Sequence, residues 1–242
     1  MPRRELTLLF PAYNEAQRIV STLERALAWA RAKLDVFEVL VVDDGSDDGM
    51  GEVIRARFGD SVRVVRREQR GGKGAAIRTG VAEARQPWIL FSDADLSIPI
   101  EEFEKLWKEA EAAPIAIGSK RAPGGYLQYP PLRRFLGGIG QKLIALFVVS
   151  GFYDTQCGFK LYRSDVAREL FRHQRIDGFG FDFEVLFLAR RLGYAVREVP
   201  IRCEHKIGGT VRLRTYLTVL GEILSIRWNL IRGRYPRPAR RG

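Results

Sequence analysis

Asp93 and Asp95 flank one small residue, Ala94, one residue beyond the apolar run Trp88–Phe91. Carboxylates so placed at a strand end can hold a hard divalent cation such as Mg²⁺ or Mn²⁺, whose other oxygen ligands come from substrate phosphates. Taken alone, the run also reads as a turn, because Asp is common there. Three more polar clusters follow apolar runs or precede a helix. Asp43-Asp44-Gly45-Ser46 comes after FEVLVV, and a carboxylate there can accept a hydrogen bond from a nucleobase N–H. Pro11-Ala12-Tyr13-Asn14-Glu15 comes after LTLLF. Its ring and polar groups can bracket a base, or Asn14 can simply cap the next helix. Arg70-Gly71-Gly72-Lys73-Gly74 precedes a helix, where glycines expose backbone amides and the helix start favours anions. This last run is not a phosphate loop of the GxxxxGK[ST] kind, since Gly74 follows Lys73.

The elements that must carry these clusters alternate. Strands are expected at 6–10, 37–42, 62–65, 88–91 and 115–118, with helices at 15–34, 46–58, 74–84 and 100–111 between them. Strands alternating with helices imply an α/β fold: a Rossmann-like, mostly parallel sheet flanked by helices. Ligands of such sheets bind at the carboxyl ends of the strands, where the polar clusters fall. The second half reads differently. An amphipathic stretch covers about 132–150, short strands are expected at 158–163 and 195–201, and a helix at 181–192. A long helix over 213–231, rich in Leu, Ile and Trp, leads into the basic tail RGRYPRPARRG. The division expected is a catalytic domain over 1–212, the stretch at 132–150 included, followed by a helix and basic tail over 213–242.

The chain has 242 residues, a formal net charge of +11 and a pI near 10.0. That balance points to an anionic partner. No helix-turn-helix, zinc-finger or RNA-recognition signature accompanies the charge, which argues against a nucleic-acid binder. Cys157 and Cys203 are the only cysteines and have no metal-binding spacing, so a reduced cytoplasmic protein is the expectation. Neither a signal-peptide h-region nor an apolar run of bilayer-spanning length is found.

The four clusters in this order resemble the inverting glycosyltransferases of family 2, which have the GT-A fold. Asp154-Thr155-Gln156-Cys157-Gly158-Phe159-Lys160, with Gly118-Ser119-Lys120 and Gly180-Phe181-Asp182-Phe183-Glu184, is similar to the polyprenyl-phosphate sugar transferases, the dolichyl-phosphate glucosyltransferases and mannose synthases. The resemblance implies roles residue by residue. Pro11, Ala12, Tyr13, Glu15 and Asp43 would hold the nucleoside, with Lys73 and Ala94 also facing the donor. Asp93 and Asp95 would be both catalytic and metal-binding, with Mg²⁺ or Mn²⁺ between them and the diphosphate. Lys120 stands where the family carries Arg, keeping the charge but losing the bidentate fork. Arg133, with Arg134 beside it, would meet the acceptor phosphate. Lys206 and Arg212 would close over the diphosphate. Asp182 and Glu184 would orient the sugar or a basic residue, although Glu184 also reads as a helix-surface carboxylate.

The implied reaction moves a hexose, glucose from UDP-glucose, to a polyprenyl phosphate at the cytoplasmic face of the membrane. Mannose from GDP-mannose and another acceptor are the alternatives. Because the acceptor lies in a bilayer, amphipathic membrane-facing helices are expected over 136–150, beside Lys142, and over 217–231, beside Arg227 and Arg232. Packing of the same helices on the sheet or in a dimer is the alternative reading. Processive polysaccharide synthases carry a QxxRW motif. Here Arg227-Trp228 is preceded at the critical place by Leu224.

Overall fold

In a computed structural model, the described residues are 3–126, 131–204 and 213–238, by backbone alone at 131–136 and 213–216. Among the described residues seven strands form one sheet: β1 (Glu5–Ala12), β2 (Val36–Asp43), β3 (Arg63–Arg66), β4 (Trp88–Ser92), β5 (Ile115–Ser119), β6 (Phe159–Arg163) and β7 (Val196–Pro200). Their order is β3-β2-β1-β4-β6-β5-β7. Every pairing is parallel except the two made by β6, which enters between β4 and β5 in the opposite direction. The sheet is therefore mostly parallel, as expected. The reversal at β6 was invisible in the sequence, because a short buried strand reads the same in either direction.

Strand side chains alternate between the faces, and each face has its own helices. Leu6, Leu8, Phe10, Val39, Val41, Trp88 and Leu90 meet α1 (Ala16–Lys33), α2 (Met50–Phe58) and α4 (Phe103–Trp107). Leu9, Leu40, Val42, Ile89 and Phe91 meet α3 (Lys73–Glu83), α6 (Ser164–His173) and α7 (Phe181–Arg191) on the other side. The same second core takes in Ile144 of α5 (Pro131–Phe147) and Ile223 and Ile226 of α8 (Leu213–Ile231). Helix α6 was not anticipated. Its apolar positions, Val166, Ala167, Leu170 and Phe171, have helical spacing and could have revealed it. The helix expected over 100–111 is shorter, a 3₁₀ turn at Ile100–Glu102 running into α4.

The register puts the polar clusters on one rim. Ala12 at the end of β1 pairs with Asp43 at the end of β2, and Leu9 pairs with Phe91. Chain segments far apart in sequence thus leave the sheet side by side, with residues 93–95 following β4.

Candidate functional site

A cleft of about 390 Å³ opens at the carboxyl ends of β1 and β4. Pro11, Ala12, Tyr13 and Glu15 form one wall, and Asp93, Ala94 and Asp95 the floor. Asp44, Arg70, Gly72 and Lys73 close a second side, with Gly178 and Phe179 beside them. Of the expected residues, Pro11, Ala12, Tyr13, Glu15, Lys73, Asp93, Ala94 and Asp95 are brought together here. Asp43 and Lys120 are not in the lining.

The β1 wall is shaped by its turn. Asn14 has φ of 54°, a left-handed conformation that Asn tolerates because its short polar side chain bonds locally. Its Oδ1 accepts the Asp47 amide at 3.1 Å, while its own amide donates to Ser46 Oγ at 3.0 Å. The two loops are thereby stitched to each other, and Asn14 is a connector rather than a cap. The Arg70 guanidinium lies 4.0 Å over the Tyr13 ring, a cation–π contact across the cleft.

Asp43 is fully buried, its Oδ1 accepting the Ser46 amide at 2.8 Å and its Oδ2 3.4 Å from Arg66. Its neighbour Asp44, also buried, is the one of the two that lines the cleft. Asp44 accepts the amides of Gly71 and Gly72 at 3.0 and 2.7 Å and pairs with Arg67 at 2.8 Å. The amides of Gly74 and Ala75 donate to the Asp177 carbonyl at 2.8 and 3.2 Å. This corrects the expectation that the glycine run offers free amides to an anion. The chain's own oxygens already take the amides of Gly71, Gly72 and Gly74, and that of Ala75 beyond the run, so side chains must bring most of the positive charge to a ligand there.

Lys73 supplies such a charge, with its Nζ 2.5 Å from Asp93 Oδ1. Burial works against that ammonium, yet the Asp93 and Asp182 carboxylates outweigh it and raise its pKa. Asp93 is fixed from below as well. Its amide donates to the Gly158 carbonyl at 3.2 Å, and its carboxylate lies directly over the Gly158 α-carbon. A Cβ at 158 would be 2.1 Å from Asp93 Oδ2, so only glycine leaves that carboxylate where it is. Asp95 Oδ1 accepts the Ser97 amide at 2.8 Å across Leu96, whose φ of 46° is uncommon for a Leu. Backbone strain of this kind gathers at functional sites, where surrounding structure holds it.

Behind the floor lies a buried ion pair. Lys160 and Asp182 are in contact, and Lys160 Nζ also donates to the Thr155 carbonyl at 2.9 Å. Both side chains are almost fully buried. Burial pushes the Asp182 carboxyl above its ordinary range, against the pull of Lys160 and Lys73. Asp182 is thus paired with a basic residue, Lys160. Glu184 is fully buried, not a surface carboxylate. It accepts the amides of Arg175 and Ile176 and the Tyr235 hydroxyl, tying the segment after α8 to α7. Lys120 donates its amide to Asp154 Oδ2 at 3.2 Å and places Nζ 3.8 Å from the same oxygen. Lys206 and Arg212 lie outside the described residues, as do the side chains of Arg133 and Arg134. Sequence reasoning missed Gly178 and Phe179 as lining residues. Their position in the glycine-flanked run just before Phe181 was the available signal.

Two carboxylates at the carboxyl edge of a mostly parallel sheet, facing an aromatic wall and a partly buried lysine, define a glycosyltransferase of the GT-A class. The chain belongs to glycosyl transferase family 2, whose profile matches residues 7–171. It is 34% identical over 234 residues to a dolichyl-phosphate beta-glucosyltransferase of Trichomonas vaginalis, covering 91% of this chain and 72% of that one. Solved structures share the fold. Mannosyl-3-phosphoglycerate synthase from Rubrobacter xylanophilus has a TM-score of 0.70 at 14% identity, covering 99% of this chain and 78% of the other. Glucosyl-3-phosphoglycerate synthase from Mycobacterium tuberculosis, in complex with Mn²⁺, UDP-glucose and phosphoglyceric acid, has a TM-score of 0.66 at 20% identity, covering 93% and 80%.

Proposed function

We propose that the protein transfers glucose from UDP-glucose to a polyprenyl phosphate at the cytoplasmic face of a membrane, with inversion at the anomeric carbon. The observation that carries this reading is the meeting of Tyr13, Lys73, Asp93 and Asp95 in one cleft. Support for the sugar and acceptor comes from the relative's glucosyl transfer to dolichyl phosphate.

The acidic pair fits a divalent cation. Its donors are hard oxygens, and both carboxylates line the same cleft. Two protein carboxylates, the rest of the shell coming from substrate phosphate and water, suit Mg²⁺ or Mn²⁺. When bound, the cation would offset the charge that grows on the departing diphosphate. Lys73 holds Asp93 in place and adds positive charge at the same side of the cleft. Tyr13 and Arg70 supply a flat, cationic surface on which a nucleobase stacks. Arg133, Lys206 and Arg212 are proposed to hold the acceptor phosphate and close over the diphosphate.

In the transfer step an acceptor phosphate oxygen forms a bond to the anomeric carbon as the bond to the diphosphate oxygen breaks. A phosphate monoester is largely ionised near neutral pH, its second pKa being about 6. No strong base is then needed, and positioning and electrostatics provide the rate.

The acceptor's lipid requires a seat at a bilayer, and residues 213–242 with the helix near 132–150 are proposed to provide it. Leu217, Leu220, Leu224, Trp228 and Ile231 of α8 are exposed, as are Ile139, Leu146 and Phe147 of α5. Arg232 lies 4.5 Å over the Trp228 ring, placing a cation beside the apolar face. Such a face with basic flanks suits the interface of an anionic membrane. No described helix is long and apolar enough to cross one.

A donor panel tests the proposal: UDP-glucose, UDP-galactose and GDP-mannose with a short polyprenyl phosphate, with and without Mg²⁺ or Mn²⁺. Metal-dependent transfer from UDP-glucose is expected. Preference for GDP-mannose would overturn the donor assignment, and transfer to soluble phosphates alone would overturn the acceptor.

A further inference from the structure

The outer, apolar side of α8 and the donor cleft are joined through one side chain. At about 100° per residue, Leu217, Leu220, Leu224, Trp228 and Ile231 fall within one arc of about 80°. Glu222 points almost the opposite way, inward to the start of α7. Its Oε2 accepts the Gly180 amide at 2.9 Å. The carboxylate also lies over two α-carbons: a Cβ on Gly178 would be 2.0 Å from Oε1, and one on Gly180 would be 2.9 Å from Oε2. The two glycines around Phe179 are thus what lets this carboxylate seat.

The loop that Glu222 grips is held at its other end by α3. The Asp177 carbonyl accepts the Gly74 and Ala75 amides, and its carboxylate pairs with Arg78 at 2.7 Å. Between these two anchors, Gly178 and half-exposed Phe179 form part of the cleft lining. The α3 anchor lies one residue from Lys73, the partner of Asp93. Burial raises the Glu222 pKa, consistent with a carboxylate enclosed by this loop. Farther along, Tyr235 and Glu184 tether the end of α8 to α7.

We propose that Glu222 is a positioning residue that sets the 177–180 wall of the donor cleft from α8, so that placement of this helix governs donor binding. This rests on the reading of the cleft as the sugar-nucleotide site. A residue that merely caps α7 would affect stability alone. A positioning residue affects the loop and the donor and leaves turnover of bound donor nearly intact.

The test compares Glu222→Ala and Glu222→Gln with the wild type in the full chain. Hydrogen exchange is read on peptides covering 72–76 and 177–180, UDP binding with Mn²⁺ by calorimetry, and donor KM and kcat in the transfer assay. In Glu222→Ala, exchange in both segments accelerates and UDP affinity falls about tenfold, as expected for loss of a hydrogen bond to a charged group. Donor KM rises in step, while kcat stays within about twofold. Glu222→Gln, whose amide oxygen can still accept from Gly180, restores exchange and affinity. The inference is overturned if Glu222→Ala lowers only the melting temperature, or if exchange at 177–180 is unchanged. A wild type that binds no UDP and transfers no sugar would instead remove the functional reading, and the exchange measurement would still decide whether Glu222 sets the loop.

Discussion

The cleft at the strand ends and the outer side of α5 and α8 are built on opposite principles. In the cleft, charges are held by other charges and amides: Lys73 on Asp93, Asp44 on Gly71, Gly72 and Arg67, and Asp182 on Lys160. On the helical side, large apolar groups stand in solvent, with Leu146 75% and Ile231 74% exposed. A polar site needs fixed dipoles before its ligand arrives, because reorganisation during reaction costs rate. A surface that meets lipid needs only apolar area and nearby cations, since burial is non-directional. The first should be intolerant of single changes, and the second tolerant of them.

The largest effect expected is at Asp95. Asp95→Ala should lower transfer by at least about a thousandfold, as loss of a metal-held charge implies, with circular dichroism and melting unchanged. Near wild-type turnover would remove Asp95 from the machinery. Next is the buried pair. Asp182→Ala leaves Lys160 charged and enclosed, and should destabilise the fold by about 3–5 kcal/mol. Chemical denaturation measures this, and a loss below about 1 kcal/mol would mean that water reaches the ammonium.

Gly158→Ala should displace the Asp93 carboxylate and cost about a hundredfold in kcat/KM, the scale of a misplacement near 1 Å. Metal titration of the variant should require more Mn²⁺ for half activation. On the helical side, Trp228→Ala should weaken sedimentation with anionic vesicles by about tenfold, in line with the apolar area of one large side chain. Its transfer to a short, water-soluble acceptor should match wild type. Equal losses with both acceptors would erase the distinction between the two regions. Raised salt should weaken vesicle binding and leave UDP affinity less affected, because surface charges are screened more than enclosed ones.

Much of the architecture was legible in the chain. The alternation of LTLLF, FEVLVV and WILF with helical stretches gave the parallel layers, because burial on both faces demands continuous apolar strands. The order of the polar clusters after the apolar runs placed them on one rim of the sheet, where Asp93 and Asp95 line the cleft. The direction of β6 was not legible, nor was the use made of the glycine run. Nothing local distinguishes amides open to a ligand from amides already taken by Asp44 and Asp177, which are distant in sequence.

The sequence alone determined which residue types stand at the strand ends, since hydrophobic periodicity and turn chemistry are local properties. Only the tertiary structure decided which of two adjacent buried carboxylates lines the cleft, Asp44 and not Asp43, and made Glu184 a strut rather than a surface group. Likewise only the folded chain seats Glu222 over Gly178 and Gly180. Burial and hydrogen-bond partnership are set by what packs from elsewhere, and that information is spread over the whole chain.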